Sequence, residues 1–342
     1  MLTNESVGMR TLPKLPELVF RQFRGEQDYA PIVEVINANN AKDGIQEVVI
    51  LEEVINNLSP RDNWDPAADM LLVEANGQLV GLSEVEWRRN LDGDWLGWHH
   101  AYLVPHWRRK GIGTAMLAWN EKRLRESAAL YADDQAGQHY FQVFSPESAI
   151  GTNSLLEAAG YEPVRYFYLM LHKDLDHLPE VNLPAGISLK QADAEHRRAI
   201  WEAKEQAFRD HWGYIPKNED DYAYWLNDPY QDLDLWQIAW GQDGEGKEQV
   251  VGIALNCIFT GDNARYGFMR GYVESLGVLR SWRGRGVGRA LLVCSLQALR
   301  ERGMTEAALR VDTDNLSGAL RLYESVGFHV LSKDTIYRKL LA

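Results

Sequence analysis

The feature that most constrains this chain is a strand–loop–helix stretch that it carries twice. The run Val273-Glu274-Ser275-Leu276-Gly277-Val278-Leu279-Arg280-Ser281-Trp282-Arg283-Gly284-Arg285-Gly286-Val287-Gly288 begins as an apolar, β-branched segment and ends in a basic, glycine-rich turn. The run from His99 to Gly113 matches it at a constant offset of 175 residues: Trp107 falls on Trp282, Arg108 on Arg283, Gly111 on Gly286 and Gly113 on Gly288. Repetition at so long a spacing, in a chain of 342 residues, predicts two copies of one domain and not a solenoid.

A helical pattern follows each turn: Ala290, Leu291, Val293, Cys294, Leu296 and Leu299 in the second copy, and Ala115, Met116, Trp119 and Leu124 in the first. The first turn of a helix leaves backbone N–H groups unpaired at its positive end. Glycines let an anion approach that backbone. Arg283, Arg285 and Arg289 add charge, so the stretch is suited to a di- or polyphosphate. It is not the dinucleotide fingerprint G-x-G-x-x-G, because Arg289 or Leu291 stands at the third glycine position, and the triphosphate loop G-x-x-x-x-G-K-[ST] is absent.

The rest of the chain supports two similar halves. In the first, Glu17–Arg24 reads as a strand, Asp28–Ala38 as a helix, and Val48–Leu58 as helical or mixed. Leu71–Ala75 and Leu79–Leu82 flank Asn76-Gly77, a strong hairpin signal. Trp95–Val104 leads to the loop, a helix spans Gly111–Tyr131, and Tyr140–Phe144, Thr152–Ala159 and Tyr166–Leu171 read as strand, helix and last strand. The segment Asp174–Gly186 is polar, holds two prolines and has no period, so it is the expected linker. The order then restarts: strand Ile187–Lys190, helices Glu195–Phe208 and Glu219–Leu226, hairpin Leu235–Trp240 and Gln249–Phe259, strand Val273–Val278, loop and helix, strand Ala307–Val311, helix Ser317–Ser325 and strand Ile336–Lys339. The expected domains are therefore residues 1–176 and 177–342.

Composition narrows the function. The net charge of −13 disfavours nucleic acid, since the basic clusters in view are the two loops. No stretch has the apolar length of a membrane span. Cys257 and Cys294 lie in apolar runs and read as buried thiols of a reducing compartment. Met1 to Leu15 reads as a loosely attached lead without a signal-peptide pattern, so a cytoplasmic location is expected. His99, His100 and His106 lack the partner set of a metal site, and no metal is expected.

The loop Arg283-x-x-Gly286-x-Gly288, placed after a strand and before a helix, resembles the pyrophosphate loop of the GNAT N-acetyltransferase superfamily. Downstream, Asn315, Ala319, Leu322-Tyr323 and Gly327-Phe328 match that family's Asn, Ala, Leu-Tyr, Gly-Phe pattern in full. The resemblance covers nearly the whole chain. It implies an α/β fold with a mixed (α+β) sheet: two tandem GNAT acyl-CoA N-acyltransferase domains. It implies acetyl-CoA as cosubstrate, held by Leu276 and Val278 through their main chain and by Arg283, Arg285, Gly286, Val287, Gly288, Arg289 and Asn315. It also implies that Tyr323 protonates the leaving thiolate as general acid, a role that suits a phenol beside the sulfur. Glu274, two residues before Leu276 on the strand entering the cleft, is the candidate base, because an amine arrives mostly protonated.

The first copy departs from this pattern. Aligning Gly160-Tyr161 with Gly327-Phe328 puts Leu156 opposite Tyr323, while His99 stands opposite Glu274. The first half is expected to keep the fold without catalysing. Arg108, Gly111 and Gly113 either still bind CoA or form a solvated turn. By family resemblance the acceptor cleft takes in Phe208–Tyr214 and Glu219–Trp225, rich in aromatics and acids, which favours a small, cationic amine. One degraded copy together with the Phe208–Gly213 segment is similar to mycothiol synthase and its relatives; no residue reads a sugar specifically. A peptide or protein amine as acceptor, and a non-catalytic acyl-CoA-binding module, are the other readings. The oligomeric state is not given by the sequence.

Overall fold

The computed structural model describes residues 18–61, 63–130, 137–315 and 318–341. The expected lead up to Leu15 lies outside them, as do Glu17, Tyr131 and Ser317 at the ends of expected elements. By backbone proximity the chain forms two compact units that do not follow the division at residues 176 and 177. The first takes residues up to Arg165, Asn218–Asp228 and the chain from Asp334 onward; the second takes Tyr166–Lys217 and Pro229–Lys333.

In chain order the first unit has β1 (Leu18–Arg21), α1 (Tyr29–Asp43), α2 (Leu51–Asn57), α3 (Pro66–Asp69), β2 (Met70–Ala75), β3 (Gln78–Arg89), β4 (Trp95–Leu103), α4 (Ile112–Leu130), β5 (His139–Pro146) and α5 (Ile150–Ala158). Then come β6 (Glu162–His172), β7 (Ser188–Lys190), α6 (Arg197–Phe208) and α7 (Glu219–Leu226). The chain ends with β8 (Gln237–Gln242), β9 (Glu248–Cys257), α8 (Thr260–Tyr266), β10 (Arg270–Val278), α9 (Val287–Glu301), β11 (Glu306–Asp312), α10 (Ala319–Val326) and β12 (His329–Leu340).

The two units share one strand order. The first runs β1-β2-β3-β4-β5-β12 and the second β7-β8-β9-β10-β11-β6. Neighbours are antiparallel in the described ladders except the central pairs, β4/β5 and β10/β11, which are parallel. The last strand of each unit corrects the expected order. Asp334–Leu340 of β12 pairs with β5, and Phe167–His172 of β6 pairs with β11, so each comes from the opposite half of the chain.

Local chemistry accounts for the elements that position the site. Asn76 (φ 53°) and Gly77 (φ 77°) both take left-handed conformations between β2 and β3, as a primed hairpin turn requires. Helix α1 runs past the expected Ala38 to Asp43 and is closed by Gly44 in the left-handed conformation (φ 70°). The helices that follow the glycine loops carry the core. Met116 and Leu124 of α4 are fully buried, Leu124 among Trp95 and Phe141; Leu292, Leu296 and Leu299 of α9 are buried with Met170 and Leu309. Each such side chain contributes roughly 1.5–3 kcal/mol. Among the described residues no helix is long and apolar enough to cross a membrane.

Candidate active site

In each unit the parallel central pair separates part-way. The β10/β11 ladder joins Arg270–Tyr272 to Glu306–Ala308, and the β4/β5 ladder joins Trp95–Trp98 to His139–Gln142. β10 continues to Val278 and β4 to Leu103 while paired on their other edge, Leu276 with Ala254 and Val278 with Gly252 in the second unit. A splayed strand turns its main chain toward a wedge between the strands, where an extended ligand carrying amide groups fits.

The glycine loop closes the end of that wedge. Gly284 (φ 74°) and Gly286 (φ 87°) adopt left-handed conformations, and α9 starts at Val287. The Val287 side chain is buried with Ala239, Val251 and Leu291, so what it presents to an anion is its backbone N–H. A side chain at Gly288 would touch Leu322 of α10 and Val278 of β10, each at 3.6 Å; strand, loop and α10 meet there. Arg285 lies over the Trp282 ring at 4.7 Å, and Lys110 over Trp107 at 4.3 Å in the first unit. Arg289 sits in the first turn of α9.

Arg283, expected to help hold the cosubstrate, is bonded to protein groups. Its Nε donates to the Val278 carbonyl (3.0 Å), its Nη1 to Asp210 (2.5 Å), and its Nη2 to Asp210 (3.1 Å) and the Ala207 carbonyl (2.8 Å). Arg108 repeats the pattern on Leu103, Asp43 and Asn39. Every guanidinium nitrogen is engaged with protein, so both arginines fasten the loop to the end of a helix and hold the cradle's shape. Sequence reasoning missed Asp210 and Asp43 as their partners.

Glu274 marks a β-bulge. The β9/β10 register steps from Val273 opposite Asn256 to Ser275 opposite Leu255, so Glu274 is the extra residue. Bulges re-aim side chains beside active sites, and Glu274 is exposed. Tyr323 on α10 is 7% exposed and belongs to one apolar cluster with Val273, Leu309 and Phe328, against which Leu276 packs. Burial pushes its phenol up to about 12, so it remains a proton donor at neutral pH. Asn315 forms the turn after β11; its N–H donates to the Asp312 carbonyl (3.2 Å) and its own carbonyl accepts from Gly318 (3.4 Å).

The expected acceptor stretch is divided. The end of α6 packs on β10 so closely that a side chain at Gly277 would meet Ala207 at 2.9 Å and Phe208 at 3.0 Å. Beyond it, His211 lies 4.6 Å from the Phe208 ring, Tyr214 donates to Glu205 (3.0 Å), and Trp212 is 36% exposed. Helix α7, by contrast, belongs to the first unit. Asp221 accepts both arms of Arg88 (2.7 and 3.1 Å), and Tyr224 donates to Asn57 (2.6 Å). Asp221 and Tyr224 are thus committed to packing in that unit, while Glu219 and Asp220 are exposed.

In the first unit the wedge holds a cavity of about 390 Å³ whose lining includes Asn39, His99, His100, Arg109, Asn120 and Leu155. Leu156, opposite Tyr323 in the sequence, lines it too. Arg109 takes φ 61° where the second copy has Gly284. The β3/β4 ladder is continuous from Gly81–Leu103 to Arg89–Trp95, so this unit has no bulged residue in the place of Glu274. His99 is 3% exposed; its Nδ1 accepts from Asn120 (3.3 Å) and its Nε2 meets Tyr161 Oη (2.8 Å). Burial lowers its pKa to about 3 and keeps it neutral.

Comparison with known proteins agrees with this geometry. The sequence profile described as Acetyltransferase (GNAT) family matches residues 48–144 and 199–328. A mycothiol acetyltransferase of Thermobispora bispora is 31% identical over 93% of this chain and 98% of its own, and one of Geodermatophilus obscurus is 28% identical over 91% and 94%. The crystal structure of a GCN5-related N-acetyltransferase from Sphaerobacter thermophilus superposes with a TM-score of 0.70 at 28% identity, covering 97% of each chain. A tandem GNAT protein from the clavulanic acid biosynthesis pathway shares the fold, with a TM-score of 0.67 at 16% identity over 95% of this chain and 99% of its own.

Proposed function

The chain belongs to the acetyltransferase (GNAT) family and is an N-acetyltransferase, and we propose that it moves the acetyl group of acetyl-CoA to a small primary amine by direct attack in the second unit. The observation that carries this reading is the company of the second loop. The splayed β10, the left-handed Gly284 and Gly286, the bulge at Glu274 and the buried Tyr323 occur together there. The fit to the cosubstrate is chemical. The first-turn N–H groups of Val287, Gly288 and Arg289, with Arg285, would hold the pyrophosphate. The main chain of Leu276 and Val278 would pair with the amides of the pantetheine arm, with Asn315, in the turn after β11, as a further contact.

In this arrangement Glu274 takes a proton from the ammonium form of the acceptor. The nitrogen then attacks the thioester carbonyl, whose developing negative charge needs an N–H donor, supplied by the β10 main chain. Tyr323 protonates the departing thiolate. Arg283 and Asp210 set the loop's position and touch no reacting atom. Relatives that are mycothiol acetyltransferases support a small-molecule acceptor over a peptide or protein amine. In the first unit, Gly111, Gly113 and the cavity support retention of CoA binding, with Arg108 holding the loop.

The test is thiol release from acetyl-CoA over a panel of small amines and lysine peptides, with the amide product identified by mass. Turnover on small amines, and loss of kcat in Tyr323→Phe, are expected. Tight acetyl-CoA binding without turnover on any amine would make the chain a binding module instead.

A further inference from the structure

The bulge that creates the Glu274 position is missing in the first unit, and the continuous ladder there builds a different constellation. Its register sets His100 opposite Glu84, Trp98 opposite Glu86 and Tyr102 opposite Leu82. Alternation along the strands places His100, Glu84 and Glu86 on one face of the sheet and His99 on the other. The two histidines therefore have different work. His99 is locked into the chain Ser83–Asn120–His99–Tyr161, with Ser83 donating to Asn120 at 2.7 Å. His100 lines the cavity, and its Nδ1 lies 3.8 Å from Glu84 Oε1.

We propose that the first unit holds a second acyl-transfer centre, independent of tyrosine, in which His100 backed by Glu84 deprotonates a cationic primary amine beside a thioester in the cavity. It rests on the thioester donor proposed above and adds an acceptor site to the unit whose Tyr323 counterpart is Leu156. His100 lines the cavity, and Glu84, its cross-strand partner, stands beside it; their side chains keep 35% and 32% of their surface open. Among the described residues, Glu84 and Glu86 stand on the His100 face of the sheet with Arg61, which lies 3.9 Å from Glu86 and is itself stacked on Trp64 (5.2 Å) and Tyr224 (4.8 Å). The recess is thus biased toward an ammonium group.

The proton inventory is suitable. Burial, reinforced by the neighbouring Glu86 carboxylate and opposed by Arg61, pushes Glu84 up to about 7. Burial keeps His100 below its ordinary value, with Glu86 pulling the other way, so it rests neutral and able to accept. Tyr102, raised by burial and by Glu84, Glu47 and Glu53, stays protonated. In the step, the ammonium gives one proton to the His100–Glu84 pair. The nitrogen lone pair forms the C–N bond to the thioester carbon, and the C–S bond breaks with its electrons on sulfur. The second nitrogen proton neutralises the thiolate, and the pair returns its proton to water. A thiolate is a fair leaving group near neutral pH, so the step runs without a phenol, though more slowly than in the second unit.

The experiment uses the full chain with the second unit's centre removed by Glu274→Gln and Tyr323→Phe. Thiol release from acetyl-CoA is followed with 1,4-diaminobutane, with 2-phenylethylamine, or with water alone. We expect a residual amine-dependent rate about 100-fold above water alone, the scale of general base catalysis, which adding His100→Gln or Glu84→Gln lowers to the water-alone rate. The rate should rise with pH through about 7, a rise that Glu84→Gln removes; melting temperatures show that each variant is folded, and either serves if the other is not. Thiol release no faster than without enzyme overturns the proposal and leaves the second-unit reading intact. A residual rate that neither substitution changes overturns it as well, and places that activity in the second unit.

Discussion

Arg283 grips both carboxylate oxygens of Asp210 while its Nε holds the Val278 carbonyl, and Arg108 does the same with Asp43 and Leu103. The pair couples the end of α6 to the glycine loop that would receive the pyrophosphate. Both groups of the Arg283 pair are partly exposed (29% and 42%), so solvent screens it and the net effect on the loop is about 1 kcal/mol. Asp210→Asn is therefore predicted to raise the KM for acetyl-CoA about 5- to 10-fold with kcat changed less than about 3-fold. Steady-state kinetics at fixed amine check this; an unchanged KM would show that the loop holds its shape without the clamp.

Tyr323→Phe is predicted to lower kcat about 100-fold, the lower end of general acid catalysis. Because burial holds the phenol up to about 12, wild-type kcat should show no alkaline loss from this group through the neutral and mildly basic range. The variant's pH profile should be lowered evenly over that range, and a profile that changes shape there would assign the donor elsewhere.

Arg109 occupies a left-handed conformation (φ 61°) where the second copy has a glycine. Such a conformation costs a non-glycine residue about 1 kcal/mol or more. Arg109→Gly should raise the melting temperature if relief of strain exceeds the glycine's added unfolded-state entropy, and we predict a net gain of about 0.5 kcal/mol. It should also weaken CoA binding in the first unit, since Arg109 lines that cavity. Calorimetric titration separates the two effects. Loss of stability would mean that the Arg109 side chain supports the loop.

Glu84 links stability to pH. Its folded pKa, raised by burial to about 7, exceeds the ordinary value of 4.5, so the unfolded state ionises first. Its relative contribution is intact below pH 4.5, falls as pH rises toward about 7, and is constant above that. Glu84→Gln should therefore gain stability relative to wild type across that window and keep the gain at higher pH. Denaturant midpoints at a series of pH values give the difference; a gap that grows on acidification contradicts the placement of Glu84.

Much of the fold was legible because each local signal agreed with its neighbours. Asn76-Gly77 required a primed turn, the Gly284–Gly288 run could only be a loop opening a helix, and the apolar period of α9 matched its buried face. The pairing of β12 with β5 and of β6 with β11 was not legible, since an alternating strand carries no mark of which equivalent edge it joins. α7 was assigned to the acceptor side by family resemblance, but Asp221 had a distant partner in Arg88 that no local pattern announces. Within the site, Glu274 and Tyr323 were singled out by the family resemblance. The bulge at Glu274 was not, because it depends on register against β9, and without it His99 seemed the counterpart of Glu274. Register instead separates His99 from His100 and gives each a different role.

The central claim is that acetyl transfer runs mainly in the second unit through Glu274 and Tyr323. The most direct measurement is kcat for one amine acceptor at saturating acetyl-CoA, in wild type and in the Glu274→Gln/Tyr323→Phe double variant, with acetyl-CoA binding measured alongside. The account predicts a fall in kcat of about 1,000-fold or more with the affinity for acetyl-CoA retained. A double variant that turns over within about 3-fold of wild type would contradict it.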